Sequence, residues 1–166
     1  MEVPRAIEDG GFGIWVRESG SLWSYPTIIF LHSLGLSFLV GMNVALDLRV
    51  LGVASRLPLA PLEQLFPIMW AGFWVNTVSG VALLIADAST MLVSLVFLVK
   101  MVCIVGAVTD MVMLKRLVFA PLQPESTGLP VKAKVLAITS LVLWTGAITA
   151  GRLTAYFGPV AGLQRR

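Results

Sequence analysis

The sequence predicts an all-α, multi-pass membrane protein, namely an antiparallel four-transmembrane-helix bundle preceded by an amphipathic interfacial helix. Two observations carry this prediction. The 166-residue chain is 57% hydrophobic and only 13% charged, whereas soluble domains average about 25% charged residues. Four apolar stretches, at about 26–48, 67–86, 91–114 and 133–152, each match the roughly 20 residues that a helix needs to cross a bilayer.

Residues 1–24 predict a short amphipathic segment that lies in the membrane interface. Tryptophan favours headgroup depth, and apolar residues at helical spacing between charged ones are typical of interfacial helices. The alternative is a frayed tail. No apolar core of about 7–15 residues precedes a small-residue cleavage site, so no cleavable signal peptide is expected. The apolar positions are Phe12, Trp15, Val16, Leu22 and Trp23.

The first span carries the only histidine of the chain, His32. Pro26 suits the first turn of this helix, where a missing N–H costs nothing. Small residues recur at every fourth position, which predicts a face against which another helix packs closely. These residues are Ser33, Ser37, Gly41 and Ala45.

The other spans also contain polar positions. The segment before the second span holds three prolines, so it is predicted to be a loop or a re-entrant piece. Gly72, Asn76 and Gly80 share one face of the second span, and Lys100 lies near the middle of the third. An even number of spans puts both termini on one side. By a margin of one basic residue, the loops at 49–65 and 115–134 are expected in the cytoplasm, with both termini outside.

A candidate binding site lies at the end of the bundle where the first span enters and the fourth exits. His32, Tyr25, Arg152 and Tyr156 are expected at this level, and together they suit a quinone headgroup, an anionic group or a haem propionate. His32 would be an axial or metal ligand, which makes haem b, copper or quinone the candidate cofactors. The alternative is a structural histidine bonded to a neighbouring helix. A single histidine excludes bis-histidine haem ligation within one chain.

A second candidate site is a polar route through Lys100, Asn76 and Asp110. A charge at the bilayer centre is costly, so it marks an ion or proton pathway or serves as a polar contact between helices, and both interpretations stay open. A further group of polar residues is interpreted as an interfacial charge cluster. It comprises Asn43, Asp47, Arg49, Asp110 and Lys115.

Several motifs occur in a characteristic order: YPTIIFLHSLGLSFLVGMNVALDLRVLG, then WAGF, a lysine-bearing third span, and GAITAGRLTAY. In this order the chain resembles a bacterial four-helix membrane family catalogued only as a domain of unknown function. It is more loosely similar to CopD-type copper-resistance proteins and to small b-type cytochrome bundles. The resemblance implies a bacterial inner-membrane location. It marks as signature positions His32, Asp47, Arg49, Lys100, Arg152 and Tyr156.

Three functions remain open on this basis. The first is a non-catalytic membrane subunit or binding module for haem, metal or quinone near His32 and Arg152. The second is a small transporter or channel component, and the third is a structural anchor. No catalytic triad is present. The net charge of +3 is spread over loops, so nucleic acid is not an expected partner. The expected partners are the lipid bilayer and either further copies of this chain in a homo-oligomer or the other subunits of a membrane complex.

Overall fold

The computed structural model describes residues 2–53, 55–119 and 129–157, and the regular structure in these ranges is helical. A short 3-10 helix over Ala60–Gln64 leads directly into the second long helix. The helices are α1 (Glu2–Glu8), α2 (Gly11–Glu18), α3 (Tyr25–Leu51), α4 (Leu65–Ala86), α5 (Ala88–Met91), α6 (Leu95–Val118) and α7 (Val131–Phe157).

Four helices, α3, α4, α6 and α7, are long and apolar enough to cross a membrane. This confirms the predicted multi-pass membrane protein. Large apolar side chains cover their outer faces, and Phe30, Val78 and Val105 are each more than 60% exposed. Such a surface is unfavourable in water but matches the hydrocarbon of a bilayer.

Local chemistry sets the ends of these helices. Pro26 occupies the first turn of α3, as predicted, and Gly52 ends the helix at a φ of 97°, which favours glycine because it has no Cβ. The third span begins at Leu95 rather than at 91. Ser94 caps α6 by accepting a hydrogen bond from the Phe97 N–H at 3.4 Å, and residues 88–91 form the separate helix α5.

Two helix pairs build the molecule, because α3 packs mainly on α4, α6 mainly on α7, and α3 also contacts α7. The α3–α4 contact is closest at two glycines. A Cβ added to Gly35 would lie 2.7 Å from the Asn76 nitrogen, and one added to Gly72 would lie 2.8 Å from the Gly35 oxygen. The predicted face of Gly72, Asn76 and Gly80 therefore does contact a neighbouring helix.

The small-residue face predicted on α3 does not form the contact with α4 in the described chain. Ser33, Ser37, Gly41 and Ala45 are all exposed, and a Cβ added to Gly41 would meet nothing within 4 Å. Helix α3 instead turns Gly35 toward α4. Glycine permits the closer approach of the two backbones. Because Gly35 faces α4, the stripe that contains Ser33 and Ser37 lies outside the α3–α4 interface.

The apolar core occupies the half of the bundle in which α3 ends. Its buried members lie on all four long helices, and Trp144 is the largest of them. Asn43, Asp47 and Ser140 are the polar residues of this half that are buried among these side chains. The core residues include Leu39, Leu46, Phe66, Met69, Met111, Leu114 and Trp144.

The described residues before α3 form two short helices, α1 and α2. Helices α1 and α2 pack on α4 and α5. Arg17 donates to the Ala86 carbonyl at 2.9 Å and pairs with Glu8 at 3.1 Å. The Ser89 N–H donates to Glu8 at 3.1 Å. These contacts cover the C-terminal end of α4.

Candidate functional site

Polar side chains gather at two places between the long helices. The histidine cluster comprises His32, Asn76 and Ser79, at the contact of α3 with α4. The carboxylate cluster comprises Asn43, Asp47, Ser140 and Asp110, from α3, α6 and α7. Asn43 follows His32 by eleven residues, so the clusters are about 16 Å apart along α3.

The histidine cluster is a set of hydrogen bonds between two helices. His32 Nδ1 lies 3.0 Å from the Asn76 carbonyl oxygen and 3.2 Å from Ser79 Oγ. In return, the Asn76 side-chain amide donates to the His32 carbonyl oxygen at 2.8 Å. A Cβ added to Gly80 would lie 3.1 Å from the imidazole, so the ring is held against the α4 backbone.

These contacts define the tautomer of His32. A carbonyl oxygen only accepts hydrogen bonds, so Nδ1 carries the hydrogen that binds the Asn76 carbonyl. In the neutral ring, Nε2 is then the nitrogen with the free lone pair. An imidazole that ligates a metal through one nitrogen usually donates a hydrogen bond from the other. His32 has this arrangement.

The other residues predicted around His32 do not join its hydrogen bonds. Tyr25 is 37% exposed at the start of α3, and Arg152 is exposed on α7. The side chain of Tyr156 lies outside the described residues. The structure therefore brings His32 together with Asn76 and Ser79, and not with Tyr25 or Arg152.

Lys100 lies beside the histidine cluster. Its Cε would be 3.7 Å from a Cβ added to Gly151, and its charge is close enough to act on His32. Asp110 follows Lys100 by ten residues on α6, a distance of about 15 Å. The predicted polar route is thus divided, because Lys100 and Asn76 lie near His32, whereas Asp110 belongs to the carboxylate cluster.

Asn43 is the centre of the carboxylate cluster. Its amide nitrogen donates to Asp47 Oδ2 at 2.8 Å and to Ser140 Oγ at 2.7 Å. Asn43 and Asp47 are 0% exposed and Ser140 is 1% exposed. Asn43 and Asp47 are four residues apart and share a face of α3, and Ser140 meets this face from α7.

Four polar side-chain atoms of the described residues are buried without a hydrogen-bond partner, and three of them belong to this cluster. They are Asn43 Oδ1, Asp47 Oδ1, Asp110 Oδ2 and Trp144 Nε1. Within the parts of the chain that the structure describes, no other buried side-chain nitrogen or oxygen lacks a partner. Trp144 follows Ser140 by one turn on the same face of α7, and it is 1% exposed.

The basic residues nearest in sequence are engaged elsewhere. Arg49 donates to the backbone oxygens of Leu57 at 2.6 Å and Ser55 at 3.0 Å. Lys115 lies 4.9 Å from the centre of the Phe66 ring. The structure therefore divides the set interpreted as an interfacial charge cluster, since Asn43 and Asp47 lie in the core without Arg49 or Lys115.

Only part of this cluster could be recognised from the sequence. Asn43 and Asp47 at a spacing of four, in a helix otherwise rich in apolar residues, mark a polar position on one face of α3. Ser140 carries no such signal, because a lone serine is common in a membrane span. Its contact with Asn43 appears only when α7 is placed against α3.

The side chains that could ligate a metal ion do not form a cluster in the described residues. Among residues 2–53, 55–119 and 129–157, no group of three or more His, Cys, Asp and Glu side chains could hold a metal ion. Cys103 lies against α7, where a Cβ added to Gly146 would be 3.2 Å from its sulfur, and it is not a neighbour of His32 in these contacts.

Comparison of this chain with protein-family models, with curated proteins and with solved structures finds no match. The resemblance to a bacterial four-helix membrane family therefore stays a prediction.

Proposed function

We propose that this chain is a non-catalytic small transporter or channel component, in which buried carboxylates take up a proton or a small cation within the membrane. The observation that carries the proposal is the position of Asp47, which is 0% exposed and has no basic partner among the described residues. An ionisable side chain inside a membrane span is costly and usually functional.

The energetics favour a transient ligand over a purely structural role. A buried charge is tolerated only when it is paired, hydrogen-bonded or neutralised. Asn43 supplies Asp47 with one hydrogen bond at 2.8 Å, but no ion pair from the described residues balances the charge. A proton or a cation supplies this balance, and a group that binds such an ion reversibly is what a transport component requires.

The proposed setting is an antiparallel bundle in a bacterial inner membrane, with both termini outside. His32 contacts Gly80, and Gly72 lies against Gly35 and Leu39, so residue numbers rise along α3 as they fall along α4. Phe12 and Trp15 remain more than 40% exposed. This supports an N-terminal segment in the membrane interface.

The exposed stripe of α3 supports an assembly larger than one chain. Ser33, Ser37, Gly41 and Ala45 are exposed, and small residues at this spacing favour close helix contacts in lipid. The chain is therefore proposed to form a homo-oligomer or to join a membrane complex through this face. The route across the bundle would link the histidine cluster, with Lys100 beside it, to the carboxylate cluster.

The test is an ion-flux measurement on protein reconstituted in liposomes. A pH-sensitive or sodium-sensitive dye inside the vesicles reports movement driven by an imposed gradient. The expected result is flux that depends on the protein and falls at least tenfold in Asp47→Asn. Asp87→Asn is the matched control, because Asp87 lies outside the four long helices and its variant should retain the flux.

A second candidate function places a metal or redox group at His32. The specific observation is the Nδ1 hydrogen bond to the Asn76 carbonyl at 3.0 Å, which leaves Nε2 with its lone pair. An absorption spectrum and metal analysis of purified protein test this candidate against His32→Ala. Haem absorption or stoichiometric copper that His32→Ala abolishes would support it. A colourless, metal-free protein would contradict it.

A third outcome leaves the chain as a structural anchor. In that case neither flux nor a cofactor would be found, and the polar groups would serve only to fix the register of the helices. This outcome would overturn both of the functions above.

A further inference from the structure

Resting on the proposed function, we infer that the carboxylate cluster binds one monovalent metal cation of about the size of Na⁺. The proposed ligands are Asp47 Oδ1, Asn43 Oδ1 and Asp110 Oδ2, which are the three buried oxygens without a partner. A proton carried by Asp47 is the competing occupant, and the experiment below separates the two.

The chemistry of the unpartnered atoms points to a cation. An ionised carboxylate accepts hydrogen bonds and donates none, and an amide oxygen only accepts. Three acceptors without donors require a positive ion or additional donors. Oxygen ligands are those that hard cations prefer. The buried position of Asn43 and Asp47 does not suit the several waters that Mg²⁺ usually keeps.

Asn43 makes the site more than a pair of acidic residues. Its amide nitrogen uses its two donors on Asp47 Oδ2 and Ser140 Oγ. Reversing the amide would place its oxygen against the carboxylate, which cannot donate, so the observed orientation is the favourable one. Asn43 Oδ1 is consequently fixed in the core as a spare acceptor on a residue that is 0% exposed.

The number of unpartnered oxygens supplies the argument against a proton alone. A proton on Asp47 would provide a donor for one neighbouring oxygen, and it would leave the remaining unpartnered oxygen without a donor. A single cation accounts for all three oxygens, because a hard cation takes several oxygen ligands at once.

The experiment measures thermal unfolding of the purified chain in detergent, at constant pH and ionic strength. The salts are NaCl, LiCl, KCl and choline chloride. Sodium at about 100 times its Kd is expected to raise the Tm by roughly 5–10 °C relative to choline, because a ligand bound to the folded state shifts the equilibrium by mass action. The order of Li⁺, Na⁺ and K⁺ then reports the size preference.

Two variants test the ligands. Asp47→Asn and Asp110→Asn should each lose most of the sodium-dependent rise in Tm. The matched controls are Asp87→Asn and Glu63→Gln, which remove a carboxylate outside the cluster and should keep the full rise. The salt series on the unaltered chain needs no variant, so the inference remains testable even where a variant fails to fold.

Three results would overturn the inference: equal Tm values in sodium and choline, a full sodium response in Asp47→Asn, or the loss of that response in Asp87→Asn. Its failure is distinguishable from failure of the proposed function. Proton flux that depends on Asp47, without any sodium response, removes the cation site and keeps the transport function. A sodium response that requires Asp47, without flux in liposomes, keeps the site and removes the transport function.

Discussion

The histidine cluster and the carboxylate cluster both join α3 to a neighbouring helix, yet they differ in how their polar atoms are satisfied. In the first, His32 Nδ1, the Asn76 amide and the Ser79 hydroxyl all have partners within 3.2 Å. In the second, Asn43, Asp47 and Asp110 each keep a buried atom without a partner. The first lies at a contact of two helices, whereas the second lies inside the core among three.

This difference separates two uses of polarity within a membrane. Hydrogen bonds that are complete between two helices hold the helices in register, at a modest gain in stability. Buried polar groups that lack a hydrogen-bond partner lower the stability of the folded chain, and each such group calls for a specific explanation. A ligand that completes them is the explanation offered here, so substitutions in the two clusters should affect stability in opposite directions.

The largest expected effect comes from the helix contact that supports the histidine cluster. Gly35→Ala would place a Cβ 2.7 Å from the Asn76 nitrogen and 2.8 Å from the Gly72 oxygen. Backbone atoms of a neighbouring helix cannot move aside as a side chain does. We expect a loss in the upper part of the roughly 1–3 kcal/mol that overpacking costs, measured as a fall in the Tm in detergent.

Gly41→Ala is the matched control for this prediction, since its Cβ would meet nothing within 4 Å. Its Tm should stay within about a degree of the unaltered chain, or rise slightly because alanine favours helix formation. An equal loss of stability in both glycine variants would contradict the α3–α4 contact and, with it, the geometry of the histidine cluster.

The next effect is the loss of the interhelical hydrogen bonds themselves. Asn76→Ala removes the bond of 2.8 Å to the His32 carbonyl. We expect a destabilisation of about 0.6 kcal/mol, the average for hydrogen bonds between membrane helices, and of no more than about 1.7 kcal/mol. Thr145→Ala is the control, because this exposed hydroxyl donates only to the Leu141 carbonyl of its own helix. No difference between the two variants would mean that the cluster does not hold the helices together.

The smallest effect concerns polar contacts outside the spans, at the N-terminal helices. Hydrogen bonds from Ser89 lower the pKa of Glu8. Ionised Glu8 therefore stabilises the docking of α1 and α2 above the unfolded pKa of about 4.3, and this contribution is lost as the pH falls through the lower folded pKa. Glu8→Gln should lower hydrogen-exchange protection of residues 2–18 at neutral pH, by up to about 1 kcal/mol.

The pKa of Asp87, in the same region, shifts in the opposite direction to that of Glu8, because burial raises it. Its ionised form is disfavoured in the folded chain, so Asp87→Asn should increase protection of residues 2–18 at neutral pH, and the difference should shrink as the pH falls. Equal responses of the Glu8 and Asp87 variants would contradict the contacts assigned to this end of α4.

The four long helices could be predicted from the sequence because length and apolar composition determine them. Their faces could not. Two sets of small residues lie on α3, and the sequence does not show that Gly35 contacts Gly72 while the stripe containing Gly41 stays exposed. The start of the third span shifted because Ser94 caps a helix that composition alone extended back to 91.

The carboxylate cluster shows most clearly what could not be predicted from the sequence. The sequence places Asp47 two residues from Arg49, which favours a surface ion pair. In the folded chain Arg49 binds loop carbonyls, and Asn43 instead meets Ser140, which is 97 residues away. Contacts over such a separation depend on how α7 is rotated against α3, and a single sequence holds no direct signal of that rotation.

The most direct test of this account is the stability of Asp47→Asn beside that of Asn76→Ala, in a buffer with choline as the only added cation. Asparagine keeps an oxygen for the Asn43 amide but has no charge to desolvate. We expect Asp47→Asn to raise the free energy of unfolding by roughly 1 kcal/mol or more, whereas Asn76→Ala should lower it. A loss of stability in both variants would contradict the proposed difference between the histidine cluster, whose hydrogen bonds stabilise the fold, and the carboxylate cluster, whose unpartnered atoms await a ligand.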